Sequence, residues 1–413
     1  MTMQLASVLR GWVRVRASVA RAVAAALLVA LPMAADAANN SVTGIKKDEF
    51  QTSAPYAILI DADNGTVLYE KAADTPVPPS SMAKLMTAEI VFNEIVRGRL
   101  KPDDEFPISE DAWRRGGAPS HTSSMFAPIH SRVKVSDLLM GLIVQSANDA
   151  AIALAQGISG NETAFAIQMN ARAKELGLTR SNFTNATGLP DRGMLVSVRD
   201  LARLARHTIK TYPQFYSLYN EREFTWNKIR QQNRNPLLAM NIGADGMKTG
   251  YTSDGGYGLV GSAVQNNWRL IVVVNGLKSD KERGEEAKRL LEWGYRTFEA
   301  RLLFANGQTV GDAKVFGGAS GSVPLVGDGP INLMVPRNVN ERVVARIVYT
   351  GPLRAPVEQG AVVAKLRVTR GDIVALEVPL RTAESVPVGG VTGRAFDAAT
   401  ELVIGLFRRG ISR

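Results

Sequence analysis

The sequence predicts a mixed α/β protein of the α+β type: an antiparallel β-sheet with helices on its faces, then a small all-β domain and a terminal amphipathic helix. Three observations predict it. The 413 residues, 45% hydrophobic and 21% charged, form an ordinary globular composition, long enough for two or three domains. Within residues 45–300, β-rich segments stand at both ends and helical segments are grouped between them, an order that favours antiparallel pairing. Beyond residue 301, short β-branched runs separated by glycine and proline replace the helical pattern.

Taken in order, Arg10, Arg14, Arg16 and Arg21 precede an apolar run at 22–31, and Ala35-Asp36-Ala37 offers small residues for cleavage. Residues 1–37 therefore read as a secretory signal peptide, and the protein is expected to be exported. The apolar run would make roughly 15 Å of helix, about half of a hydrocarbon core, which disfavours a permanent anchor. Segments 56–60 and 66–69 flank Asp63-Asn64-Gly65 and predict a β-hairpin. After Pro78-Pro79-Ser80-Ser81, residues 82–91 predict a buried helix. Further helices are expected at 136–144, capped by Ser136, and at 149–158, 162–176 and 198–209. Strands are expected at 247–251, 257–264 and 270–275, with a closing helix at 285–299.

In residues 301–390, strands are expected at 313–316, 331–335, 343–349, 362–368 and 373–380, forming a β-sandwich. After Gly389-Gly390, Arg394, Asp397, Glu401 and Arg408 share one helical face, while Phe396, Val403, Leu406 and Phe407 lie on the others. Residues 391–413 thus read as an amphipathic helix, either packed on the β-domain or lying on anionic lipid through Arg408, Arg409 and Arg413.

Composition excludes several chemistries. With no cysteine there is no disulfide framework and no thiolate nucleophile. His121, His130 and His207 are scattered and form no zinc motif, so neither metal hydrolysis nor a Ser-His-Asp triad is expected, and no metal or cofactor is called for. The 49 basic and 39 acidic residues give +10, which falls to +7 once residues 1–37, with four arginines and one aspartate, are removed. That balance suits an anionic partner such as a cell-wall polymer or acidic lipid, and no basic-aromatic motif points to nucleic acid.

Ser81-Met82-Ala83-Lys84 places a lysine amine and a serine hydroxyl on one helical face. Chance supplies about one or two such patterns in a chain this long, and a second stands at Ser131-Arg132-Val133-Lys134, in a polar connection. Ser81 instead opens an apolar helix, where free N–H groups and the positive dipole end suit a developing oxyanion. Lys248-Thr249-Gly250 lies on an expected strand and is a rarer signal. Ser-x-Asn occurs at Ser146-Ala147-Asn148, between two expected helices, and at Ser159-Gly160-Asn161, which reads as a helix stop.

In this order the three elements resemble the penicillin-recognising serine transferases, which include β-lactamases and penicillin-binding proteins. Within that superfamily the chain looks most like the low-molecular-mass D-alanyl-D-alanine carboxypeptidases, serine-type enzymes like those of peptidase family S11. Segments 56–61, 79–87, 145–155, 185–190, 233–237, 245–252 and 290–294 support it, so the likeness spans nearly the whole mature chain. It implies a β-lactamase/transpeptidase-like domain at 45–300 and a reaction through an acyl-enzyme on Ser81. The implied substrate is the peptidoglycan stem pentapeptide, and β-lactam antibiotics are implied as covalent inhibitors. Lys84 would be the neutral base, its ammonium disfavoured by Lys248, while Lys248 stays charged to attract the substrate carboxylate. Ser146 would relay the proton to the leaving D-alanine, Asn148 would orient substrate and Lys84, and Thr249 would donate to the carboxylate. Backbone N–H groups of Ser81 and Tyr251, beside Gly250, would form the oxyanion hole. Arg234 and Arg283 match family arginines near the carboxylate pocket; the competing reading is a surface or interdomain ion pair. Ser123 falls in a Gly-Ser-Ser-Met-Phe-like stretch that lacks its glycine here, and Tyr251 stands where a histidine is common.

The resemblance also implies a periplasmic location, peripheral on the outer face of the cytoplasmic membrane, with the terminal helix touching the lipid. A β-lactamase is the nearest rival, but Glu162 is followed by Thr163-Ala164-Phe165-Ala166 rather than the Glu-x-x-Leu-Asn of the most familiar class. A D,D-endopeptidase would use the same three motifs, and a non-catalytic wall scaffold would keep the same fold. The intact polar set argues against the scaffold.

Overall fold

The computed structural model describes residues 50–337, 343–370 and 373–390. The expected signal peptide at 1–37 and amphipathic helix at 391–413 lie outside the described residues. Five antiparallel strands form the central sheet, in the spatial order Val67–Lys71, Tyr56–Asp61, Trp268–Leu277, Gly256–Gln265 and Ala244–Thr252. The opening hairpin thus lies against the last strand of the domain, and Ala244–Thr252 is left as an edge.

Strand periodicity sorts the apolar residues onto two faces. Ile58, Ile60, Ile271 and Val273 pack with the helical block, while Leu59, Leu270, Val272 and Val274 pack with Leu290, Leu291 and Trp293 of the closing helix. The helix Lys84–Val96 sits within the first cluster and buries Leu85, Met86 and Phe92, with Phe92 stacked on Phe215 at 4.9 Å. Each such side chain contributes about 1.5–3 kcal/mol on burial and together they make dry surroundings for the lysine that begins the helix.

Two expected helix starts differ. The helix expected at 136–144 begins at Val135 without a side-chain cap. The N–H of Ser136 is satisfied by Pro102 O at 2.9 Å, because the chain arrives from Arg132–Lys134, a strand paired with Glu105–Pro107. That helix widens into a π-type turn at Gly141–Gln145 and ends on Ser146 at φ 64°. The closing helix is Asp280–Thr297 rather than 285–299, with Ser279 accepting from Glu282 N. Its polar first turn hides the apolar periodicity.

Residues 298 and 299 leave that helix: Phe298–Phe304 is a strand paired with Ile331–Pro336. The described β-strands that follow residue 304, apart from Ile331–Pro336, form a six-stranded sheet in the order Val343–Tyr349, Val362–Arg370, Ile373–Thr382, Ser322–Gly327, Thr309–Phe316 and Leu353–Arg354, around Leu325, Leu333, Leu366 and Leu376. Strand Ser322–Gly327 escaped the sequence reading because Pro324 breaks its pattern.

Candidate active site

Two prolines deliver the chain into a 3₁₀ turn, Ser80–Ala83, which runs directly into the helix Lys84–Val96. Ser81 is half-buried and Lys84 is 1% exposed. Lys84 Nζ lies 3.1 Å from Ser81 Oγ, and it donates to Asn148 Oδ1 at 2.7 Å and to Thr187 O at 2.5 Å. The rival pair Ser131 and Lys134 is on extended chain, where a spacing of three brings nothing together, and Lys134 Nζ pairs with Asp103 at 2.9 Å.

The first Ser-x-Asn segment brings its asparagine to that lysine. Asn148 opens the helix Asn148–Ser159, and its Nδ2 donates to Thr122 Oγ1 at 2.9 Å, which fixes the amide with its oxygen toward Lys84. Ser146 Oγ is buried and has no hydrogen-bond partner among the described residues. Beside them, the buried carboxylate of Asp149 accepts from Ser124 Oγ, Met125 N and Ala127 N, tying down the loop that supplies Thr122 and Ser123. The second Ser-x-Asn divides its work between two helices. Gly160, at φ 79°, ends one, whereas Asn161 Oδ1 caps the next by accepting from Ala164 N at 2.8 Å.

Lys248, Thr249 and Gly250 lie on the edge strand, with Lys248 and Thr249 buried. A Cβ on Gly250 would stand 3.0 Å from Pro79 O and 3.0 Å from Ser80 Cβ, so glycine lets this edge approach the nucleophile turn. Tyr251 is 55% exposed and stacks on Tyr257 at 4.2 Å. Arg283 is buried, donates to Gly250 O at 3.1 Å, pairs with Asp280 and lies over the Tyr257 ring. Arg234 Nη1 donates to Ser123 Oγ at 2.7 Å, which gives the serine in the atypical stretch a definite partner.

Burial pulls the Lys84 amine down to about 7, with the Arg234 guanidinium adding to the effect and Asp149 and Glu162 opposing it. Arg234 is thus a further cation acting on Lys84, beside the Lys248 amine with which Lys84 is in mutual repulsion. Lys248 does not keep an ordinary affinity for its proton, because burial, then Lys84, Arg234 and Arg283, push it well below the usual lysine range. Lys248 Nζ donates to Thr249 O at 3.2 Å and has no acidic partner among the described residues. Four basic side chains around one cleft make a site that an arriving carboxylate would stabilise, and that anion would favour the charged form of Lys248.

Sequence reasoning missed Thr122, Asp149 and the carbonyl of Thr187. The last belongs to Asn-Ala-Thr-Gly at 185–188, where Asn185 Oδ1 accepts from Thr187 N at 3.1 Å and Gly188 N at 2.8 Å. Asparagine with a glycine close behind it was the available signal for such a tight turn.

Comparison with known proteins gives consistent results. The family model described as D-alanyl-D-alanine carboxypeptidase, peptidase S11, matches residues 42–279, and that of the penicillin-binding protein 5 C-terminal domain matches residues 298–388. The D-alanyl-D-alanine carboxypeptidase DacC of Escherichia coli is 38% identical over 82% of this chain and 86% of its own length. Penicillin-binding protein 5 from Haemophilus influenzae, a crystal structure, superposes with a TM-score of 0.73 at 36% identity, over 82% of this chain and 98% of that one. Penicillin-binding protein D2 from Listeria monocytogenes, solved in an ampicillin-bound form, superposes with a TM-score of 0.54 at 29% identity, over 60% of this chain and 98% of that one.

Proposed function

The chain belongs to the peptidase S11 family of D-alanyl-D-alanine carboxypeptidases, and from that premise we propose how its own residues remove the terminal D-alanine from a peptidoglycan stem pentapeptide. It is a serine-type carboxypeptidase and a penicillin-binding protein. The substrate lies along the free edge of strand Ala244–Thr252, with its carboxylate at Lys248 and Thr249 and its scissile carbonyl at the N–H groups of Ser81 and Tyr251. Loss of one such N–H donor costs about 3–4 kcal/mol of transition-state stabilisation.

One observation carries the mechanism: the three partners of Lys84 Nζ. A neutral amine has two hydrogens and one lone pair. Asn148 Oδ1 and Thr187 O can only accept, so they take both hydrogens, and the lone pair is left for the Ser81 hydroxyl at 3.1 Å. Lys84 removes the Ser81 proton as Oγ attacks. The proton then passes through Ser146 Oγ to the nitrogen of the departing D-alanine, leaving an ester on Ser81 that water hydrolyses. A β-lactam opens on the same serine and remains as an ester. Arg234 and Arg283 add positive charge around the carboxylate, and Arg234 holds Ser123.

The test is incubation of the purified protein, and of Lys84→Arg, with a pentapeptide ending in D-Ala-D-Ala and with labelled penicillin. Wild type is expected to release D-alanine and to take a stable label on Ser81. Arginine cannot lose its proton, so the variant is expected to lose a factor of about 10²–10⁴. Normal release by Lys84→Arg would reject Lys84 as base.

The mature enzyme is assigned to the periplasm, with residues 45–300 as the peptidase domain, residues 301–390 as a β-domain and residues 391–413 as a helix on the membrane surface. The pairing of Phe298–Phe304 with Ile331–Pro336 supports starting the β-domain slightly earlier. Deleting residues 391–413 is expected to move the protein to the soluble fraction without loss of peptide cleavage. Unchanged sedimentation with membranes would reject the anchor.

A further inference from the structure

Two consecutive carbonyl groups are taken by one face of the helix Lys84–Val96. Lys84 Nζ donates to Thr187 O, and Thr87 Oγ1, three residues further along the helix, donates to Ala186 O at 2.7 Å. Ser81, Lys84 and Thr87 therefore stand in a row at spacings of three, and Thr87 is fully buried. A threonine inside a helix can give its hydroxyl proton to a carbonyl three or four residues back. Buried Thr208 does so, donating to Leu204 O at 3.0 Å. Thr87 gives its single proton to the neighbouring turn instead, so the bond ties the turn to the helix that carries the base.

A second helix holds the same turn. Glu162, in the first turn of Glu162–Glu175, accepts from Ala186 N at 3.1 Å through Oε1, while its Oε2 accepts from Arg115 Nη1 at 2.8 Å. Ala186 is thus gripped at its C=O by one helix and at its N–H by another. Asn185 Oδ1 takes the two N–H groups that follow, those of Thr187 and Gly188. With these groups fixed, the next carbonyl is left with one direction, toward Lys84. We infer that Thr87 and Glu162 are positioning residues for acylation, which together aim the Thr187 carbonyl at the Lys84 amine and so turn its lone pair toward Ser81. Both act through Thr187 rather than on the reacting atoms. The inference rests on the reading of Lys84 as the base.

The test follows acylation of Ser81 by labelled penicillin in the purified protein, at a temperature where thermal unfolding shows every variant to be folded. Thr87→Val should slow acylation at saturating penicillin by about tenfold and leave the half-saturating concentration unchanged. Thr87→Ser, which restores a hydroxyl, should recover to within about threefold of wild type. Glu162→Ala should slow acylation likewise, and Glu162→Gln, which keeps an acceptor for Ala186 N, should recover it. Thr208→Val removes an equally buried hydroxyl that bonds within its own helix, and its acylation should stay normal. Normal acylation by Thr87→Val or Glu162→Ala, no recovery by Thr87→Ser or Glu162→Gln, or an equal loss in Thr208→Val would overturn the positioning role while D-alanine release by wild type stands. Normal release by Lys84→Arg, or none by wild type, would instead overturn the reading on which it rests.

Discussion

The carbonyl oxygen of Thr187 accepts a hydrogen bond from Lys84 Nζ at 2.5 Å, joining positions 103 residues apart. A backbone acceptor cannot be protonated or rotated away, so it claims one amine hydrogen at every pH where the fold persists. Asn148 Oδ1 claims the other, and its own orientation is set by Thr122. The catalytic amine is therefore aimed by two independent segments, and its basicity is set separately by burial and by Arg234.

The first prediction concerns pH. Lys84 must be neutral to act, and its amine is held at about 7. Below that value it is protonated, so kcat/KM for D-alanine release should fall about tenfold per pH unit on the acid side. An acid limb centred near the ordinary lysine value would show that Lys84 is not depressed.

Asn148→Asp tests the same amine from its partner. A carboxylate at the position of Oδ1 favours the ammonium form of Lys84, so the acid limb should move up by about one to three pH units. Activity lost at pH 7 should return at higher pH. A uniform loss with no shift of the limb would mean that Asn148 serves only to position groups.

Ser81 with Lys84, and Lys248 with Thr249 and Gly250, were legible because each set is local: one helical turn, or one stretch of strand. The two faces of the sheet were legible from alternation at 56–60 and 270–275. Thr187 was not, since a carbonyl oxygen has no side-chain signature, and Asp149 reads from sequence as an ordinary first-turn acid. That Arg234 also acts on Lys84 depends on how remote segments come together, which spacing does not carry. The early start of Asp280–Thr297 was hidden by a charged first turn.

Asp149→Ala should couple stability to catalysis. The buried carboxylate satisfies Ser124 Oγ and the backbone N–H groups of Met125 and Ala127, and its removal strands these donors at about 1–3 kcal/mol each. The loop they hold presents Thr122 to Asn148 and Ser123 to Arg234. Denaturant unfolding should show a loss of about 3–5 kcal/mol. Penicillin acylation at a temperature where the variant is fully folded should also be slower. Normal acylation in a destabilised variant would confine Asp149 to folding.

Gly188→Ala separates backbone strain from contact with the nucleophile turn. Gly188 has φ 77°, and a Cβ there would fall 1.9 Å from Ser80 O. Gly193, at φ 88°, is an internal control, because its Cβ would come no nearer than 3.7 Å to any atom outside its chain neighbours. Gly193→Ala should cost about 1 kcal/mol of stability from the left-handed backbone alone, and acylation should stay normal. Gly188→Ala should cost about 1–3 kcal/mol more and slow acylation, because either the Ser80–Ser81 backbone or the Thr187 carbonyl must give way. Either movement misplaces the attacking hydroxyl relative to the amine. Equal stability losses and equal acylation rates in the two variants would mean that the turn at 185–188 is not what holds Ser81 and Lys84 in register.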